Sequence, residues 1–394
     1  MTGVLEGVRI LDFGRYIAGP WCAGLLADLG AEVIRVDKIG GGEDRFVVPL
    51  TDEGDGAMYQ QMNRNKRGMT LNPTSPEGKE ILRRMVETAD VVVANLPEKA
   101  LVSLGLDYES LTAIKPDIIL TSTTAFGTTG PFSEKIGFDP VAQGMSGLMH
   151  LTGYEEPMRS AASWVDFNTA TLSALGTLAA IMSHRATGKG QRVQTSLLHT
   201  ALTTASPALI EQAMHKADRV GTGNRGQVSA PADVFKTKDG WIYIIVLGQS
   251  MYRRWANLMG EDDPWLTDPR FETDEKRADH SLAISERTQK WAETLTNDEA
   301  LAALEDARVP GAPIYTPQQA LECEHIEAAG FLTSVDFPGA NKPVPLADTP
   351  MQLSGTPGSV RNRAPKLSEH TDEILSELGY SSSEIEGIRS AKAV

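Results

Sequence analysis

The sequence is poor in cysteine, in positive charge and in long apolar runs. Cys22 and Cys323 are the only cysteines in 394 residues, too few for a disulfide framework or a thiolate metal cage, and a usage that fits a reducing compartment. Lys plus Arg number 37 against 52 Asp plus Glu, a formal net charge of −15. A field of that sign repels nucleic-acid phosphates and anionic lipid, so neither nucleic acid nor membrane is expected as a partner, and an anionic ligand needs a local basic patch. No uninterrupted apolar run approaches the roughly 18 residues of a spanning helix. The first residues show no basic stretch followed by an apolar one, so no leader is expected. The seven histidines include no pair at ligand spacing beside a cysteine, which argues against zinc or any other metal site. No Gly-x-Ser-x-Gly elbow occurs, which removes the common serine-hydrolase route. The expectation is a soluble, cytoplasmic enzyme.

What is present is an alternation of strands and helices. The pattern predicts a strand over 8–12, a turn carrying Gly14, Gly19 and Pro20, a helix over 21–29 stopped by Gly30, and a second strand over 31–36 closing at Asp37. The alternation continues with a helix over 76–88, a strand over 90–94, a helix over 108–114 and a strand over 117–121. A long small-residue helix over 167–185, a strand over 191–195 and a helix over 197–217 follow. Such βαβ repetition implies an α/β fold with a parallel, doubly wound, Rossmann-like sheet. Runs over 232–237 and 241–246, separated by Asp239-Gly240, read as a hairpin opening a smaller α+β domain. The expected division is a large domain over 1–224, a small domain over 225–325, and a return segment over 326–394 that completes the large domain. From about 340 the return segment is rich in Pro, Gly and Ser and reads as lying outside a packed core, its last helix starting near Thr371.

Three groups of residues invite chemistry. The first βα turn offers a helix N-terminus suited to an anion, although its glycine spacing departs from Gly-x-Gly-x-x-Gly. Arg64, Lys66 and Arg67, with Arg35 and Lys38, form a basic cluster, either a solvated face or a site for a phosphorylated ligand at the strand ends. Asp166 stands where the small-residue helix begins. It is either a cap or a carboxylate nucleophile kept ionised by helix N–H groups and able to form acyl intermediates.

Read together, several motifs resemble the family III CoA-transferases, over nearly the whole length. They are residues 7–12 with Ala18-Gly19-Pro20, residues 26–37, Asn65-Lys66-Arg67, Ser75-Pro76-Glu77-Gly78-Lys79, Thr187-Gly188-Lys189-Gly190-Gln191, and Glu369-His370-Thr371. The resemblance implies an interlocked-ring homodimer, each chain with a large Rossmann-like domain and a small one. It implies acyl-CoA and a small carboxylic acid as substrates, with no tightly bound cofactor, and makes Asp166 the nucleophile of an aspartyl anhydride and aspartyl-CoA thioester sequence. CoA is then expected at Ile17, Ala18, Lys38, Leu71, Asn72 and Asn95. Lys99 stands in for a basic residue the family carries nearby. Gly226-Gln227 resembles the glycine loop that shields the intermediate, and Arg159, Arg225, Tyr154 and Trp164 are candidates for the acid pocket. The racemase branch carries Gly-His-Asp where this chain has Gly137-Phe138-Asp139, and phenylalanine cannot shuttle a proton. A racemase, or an acyl-CoA binder without catalysis, is the alternative.

Overall fold

Ile10 and Leu11 are neighbours on one strand and both are fully buried, so the sheet that contains them needs cover on both faces. The computed structural model describes residues 3–260 and 264–394. Met1 and Thr2, at the head of the stretch read for a leader, and 261–263, inside the expected small domain, lie outside the described residues. Strands β1 (Arg9–Asp12), β2 (Glu32–Asp37), β3 (Lys66–Thr70), β4 (Val91–Ala94), β5 (Ile119–Thr124) and β6 (Arg192–Ser196) form one sheet in the order β3-β2-β1-β4-β5-β6. All of its neighbours run parallel. The direction of winding reverses between β1 and β4, the point at which such sheets leave a crevice outside their carboxyl ends.

The helices α1 (Ala18–Asp28), α2 (Ala57–Asn63), α3 (Pro76–Thr88), α4 (Glu98–Leu104) and α5 (Tyr108–Ile114) connect the first five strands. Helices α6 (Asp139–Met145), α7 (Leu148–Thr152) and α8 (Trp164–Thr187) lie between β5 and β6, and α9 (Leu197–His215) follows. One core sets Leu11, Ile34, Val92 and Leu120 against Ile81, Met85 and Val86 of α3. The opposite face sets Ile10, Val33, Val91 and Ile119 against Leu25 and Leu26 of α1 and Ala170, Ala174 and Ile181 of α8. Helix α8 has the length and mean hydropathy, 1.2, of a spanning segment. Its small residues let it lie close against α1 and the sheet, as a core helix does.

Two readings of the sequence need correction. Lys66-Arg67-Gly68 looks polar and lies outside the predicted strands; it nonetheless belongs to the edge strand β3 in register with β2, its lysine buried by pairing. The return segment does not lie outside the core. The helices Thr371–Glu377 and Ser382–Ser390 bury Ile374, Leu375, Ile385 and Ile388 in the same cluster as α3. Leu378 follows Ile374 by four and Ile388 follows Ile385 by three, a helical period the Ser- and Glu-rich surroundings obscured.

The chain divides into two compact units. The larger holds the chain up to Ser146, Ser160–Ile210 and His325–Val394. The smaller holds Gly147–Arg159 and Glu211–Glu324. It contains an antiparallel sheet of β7 (Ala232–Lys236), β8 (Trp241–Ile245) and β9 (Gly311–Pro313) around a core that includes Phe235, Tyr252 and Trp255. It begins before residue 225 because the glycine turn folds onto Gly147–Arg159, the Gly223 N–H donating to the Gly153 carbonyl at 3.1 Å.

Candidate active site

After Asp12 ends β1, the chain turns through Gly14, Arg15 and Tyr16 before Ile17 caps α1. Tyr16 has φ 58°, a left-handed conformation that a bulky residue adopts only when its surroundings hold it there. Asn95, just beyond β4, does the holding. Its Oδ1 accepts from the Arg15 N–H at 2.6 Å and its Nδ2 donates to the Arg15 carbonyl at 2.8 Å. At Gly19 a Cβ would meet the Asn95 Oδ1 at 2.8 Å, so glycine lets α1 start against this amide. The Arg15 guanidinium reaches Asp37 at 3.1 Å, and Asp37 is braced by the buried Arg35 and Arg45, each at 3.0 Å.

A cavity of about 230 Å³ opens beyond these strand ends, on the side where the winding reverses. Arg15, Tyr16 and Ala18 line it from the first turn, Asn95 and Pro97 from behind β4, Thr123 and Thr124 from β5, and Lys135, Phe138, Asp166 and Leu197 close it. Phe138 meets Tyr16 edge to face, ring centroids 5.8 Å apart.

Asp166 lies in the first turn of α8. Its carboxylate makes no hydrogen bond or ion pair among the described residues. Burial, and after it the negative charge of Asp139, push its pKa up to about 7. The expectation that helix N–H groups keep Asp166 ionised is not met, because Asp139 takes two of the first-turn N–H groups. Ser163, at the N-cap, contributes no side-chain cap. Instead the Asp139 Oδ2 accepts from the Val165 N–H at 2.8 Å and from the Asp166 N–H at 3.0 Å. Helix α1 differs: it has no side-chain cap and no acidic residue in its first turn, which leaves it the better anion site.

A model of CoA-transferase family III matches residues 5–371. The chain belongs to the family III CoA-transferases. A succinate–glutarate CoA-transferase from Agrobacterium fabrum is 32% identical over 387 residues, 95% of this chain and 95% of the relative. A formyl-CoA:oxalate CoA-transferase from Rhodopseudomonas palustris is 32% identical, over 100% of this chain and 98% of its own. The crystal structure of a CAIB/BAIF family protein from Brucella suis, 32% identical, superposes with a TM-score of 0.84 over 96% of this chain and 100% of that one. The protein is an enzyme, an acyl-CoA:carboxylate CoA-transferase.

In this family III CoA-transferase the residues expected at CoA are scattered. Ala18 and Asn95 line the cavity with Asp166, and Ile17 is buried at the start of α1. Lys38 is exposed and pairs with Glu43 at 2.5 Å; Lys99 is exposed and pairs with Glu134 at 2.8 Å. The basic cluster is turned inward. Arg64 pairs with Asp28 at 2.6 Å and both are fully buried. Lys66 uses all three ammonium donors on Asp12 and the Pro20 carbonyl, both at 2.7 Å, and on Asn63 at 2.9 Å. Arg67 bonds Glu373 and Glu377, each at 2.6 Å, and Glu32. Leu71 is core, and the Asn72 N–H donates to the Ala393 carbonyl at 2.8 Å. Gly226 and Gln227 lie in the smaller unit, where the Gln227 Nε2 donates to the Thr222 Oγ1 at 2.9 Å. Sequence reasoning missed Arg15, Lys135 and the capping role of Asp139. Arg15 was legible as the one cation in the first βα turn; Asp139 was not, because a cap 26 residues upstream has no local signature.

Proposed function

We propose that this enzyme moves CoA between short carboxylic acids through covalent intermediates on Asp166. The observation that carries the reading is a partly buried carboxylate, without a partner among the described residues, facing a cavity at the switch point of the sheet. A carboxylate oxygen free of donors keeps its lone pair for attack. Attack on an acyl-CoA thioester breaks the C–S bond, giving a mixed anhydride on Asp166 and CoA thiolate. The thiolate then attacks the Asp166 carbonyl carbon, the donor acid leaves, and an aspartyl-CoA thioester remains. An acceptor carboxylate attacks that thioester, releasing thiolate and forming a second anhydride. The thiolate returns to the new acyl carbon and frees Asp166. Every bond made replaces one of similar energy, so no ATP is required.

Arg15, held by Asp37 and Asn95, and the uncapped start of α1 at Ile17 and Ala18 are where CoA phosphate or a developing oxyanion is stabilised. Phe138 brings no titratable group to the cavity, which favours transfer over α-proton exchange. Relatives named for succinate and glutarate and for formyl-CoA and oxalate point to short carboxylic acids, dicarboxylates among them, as donor and acceptor. The working form is a homodimer of interlocked chains, supported by exposed apolar residues on α8 (Leu172, Leu175, Met182) and near the end of α9 (Leu209, Ile210, Met214). Cys22 and Cys323 form no disulfide among the described residues, in keeping with the cytoplasm. Acyl-CoA donors screened against mono- and dicarboxylates by mass spectrometry should reveal CoA exchange with dicarboxylates. Asp166→Ala should fold, bind CoA and lose transfer by roughly 10³-fold or more; a variant retaining near-normal transfer would place the nucleophile elsewhere.

A further inference from the structure

Asp139 has a second position-dependent consequence, read from its geometry. It is 2% exposed, and one of its oxygens takes both the Val165 and Asp166 N–H groups. The other accepts from the Gln143 Nε2 at 2.5 Å, while the Gln143 Oε1 accepts from the Ser160 N–H at 3.0 Å. This bracket fixes Asp139 from its own helix and from the strand of chain leading into α8. A fixed carboxylate at that helix end cancels the positive potential that would otherwise hold an acid in the first turn ionised. It also sets a like charge beside Asp166.

Among the described residues, no cation forms an ion pair with Asp166. Of the remaining ionisable side chains lining the cavity, Arg15 is engaged by Asp37, the Lys135 ammonium sits over the Phe132 ring at 3.8 Å, and the Tyr16 ring packs edge to face on Phe138. Among elements packed on α8, α1 brings the buried Cys22 thiol and Asp28, which pairs with Arg64. Strand β5 brings only threonine and serine hydroxyls, and β6 brings Arg192, which pairs with Glu98. At the far end of α8, His184 pairs with Asp117 at 3.0 Å.

We propose that Asp139 is a positioning residue that both aims Asp166 into the cavity and makes proton occupancy of Asp166 the gate on acylation. The proposal rests on Asp166 being the nucleophile. When protonated, Asp166 cannot attack a thioester; it can wait in the apolar pocket without the cost of an unpaired buried charge. Acylation therefore turns on across the neutral range rather than in the acid range of an ordinary aspartate.

The test is a single-turnover pH series, quenched and read by intact mass as accumulation of CoA-bound enzyme, on the wild type and on Asp139→Asn. Asparagine keeps an acceptor for the Val165 and Asp166 N–H groups and removes the charge. The wild-type rate should rise through a midpoint near the value of about 7 given above, and the variant's midpoint should move to lower pH. An unchanged midpoint overturns the proposal; absence of any CoA adduct in the wild type overturns the reading of Asp166 itself. If Asp139→Asn does not fold, ¹³C NMR of carboxyl-labelled aspartate in the wild type decides, with Asp166 assigned through Asp166→Asn. Titration of that resonance in the neutral range supports the gate, and titration near the ordinary value of 3.8 contradicts it.

Discussion

Asp166 combines burial with the nearby negative charge of Asp139. An aspartate whose pKa is raised from 3.8 to about 7 in the folded chain holds its proton more tightly there than when unfolded. The stability this contributes is fully present below about pH 4 and is lost as pH rises through the neutral range. Asp166→Asn should therefore raise stability by about 2 kcal/mol at pH 8, after allowance for solvent reaching the cavity, with the difference vanishing in acid. Urea unfolding at the two pH values measures it; equal stability at both would show that Asp166 titrates normally. Asn95 is the second residue to test, since it bonds both the N–H and the carbonyl of Arg15. Asn95→Ala should lower kcat/KM about tenfold, the equivalent of roughly 1.4 kcal/mol, by loosening the turn. Steady-state kinetics beside an unchanged unfolding midpoint would separate this from general destabilisation.

Among elements, β3 and its cations show what sequence could and could not convey. Burial pushes Asp12 up, yet Lys66 and Arg35 outweigh it and hold the carboxyl below its ordinary value; Lys66 itself is lowered by burial. Removing the ammonium leaves Asp12 buried beside one cation instead of two. Lys66→Ala should cost about 3 kcal/mol or more of stability while CoA affinity by calorimetry stays unchanged; a selective loss of CoA binding would return Lys66 to the ligand site. Strands β1, β2, β4, β5 and β6 were legible because β-branched runs end at turn residues, and α3 and α5 because their caps, Ser75 and Asp107, stand in the sequence. The place of Asp166 at the start of α8 was legible. Arg64 and Lys66 misled because spacing cannot tell a cation facing solvent from one paired with Asp28 or Asp12 through the fold. Asp139 was hidden for the same reason.

At the scale of the whole molecule, α8 and α9 carry exposed apolar residues, and the proposed second copy of the chain would cover them. Light scattering should give a dimer that persists on dilution and dissociates only with unfolding, as interlocked chains must; a monomer that retains activity would contradict this assembly. The proposed transfer depends on Asp166 carrying the acyl group. Enzyme mixed with acyl-CoA and hydroxylamine, then digested and read by mass spectrometry, tests it most directly. A hydroxamate on Asp166 should form only when acyl-CoA is present and match the loss of activity. Inactivation with the hydroxamate on another residue, or full transfer with no trapping at Asp166, would contradict it.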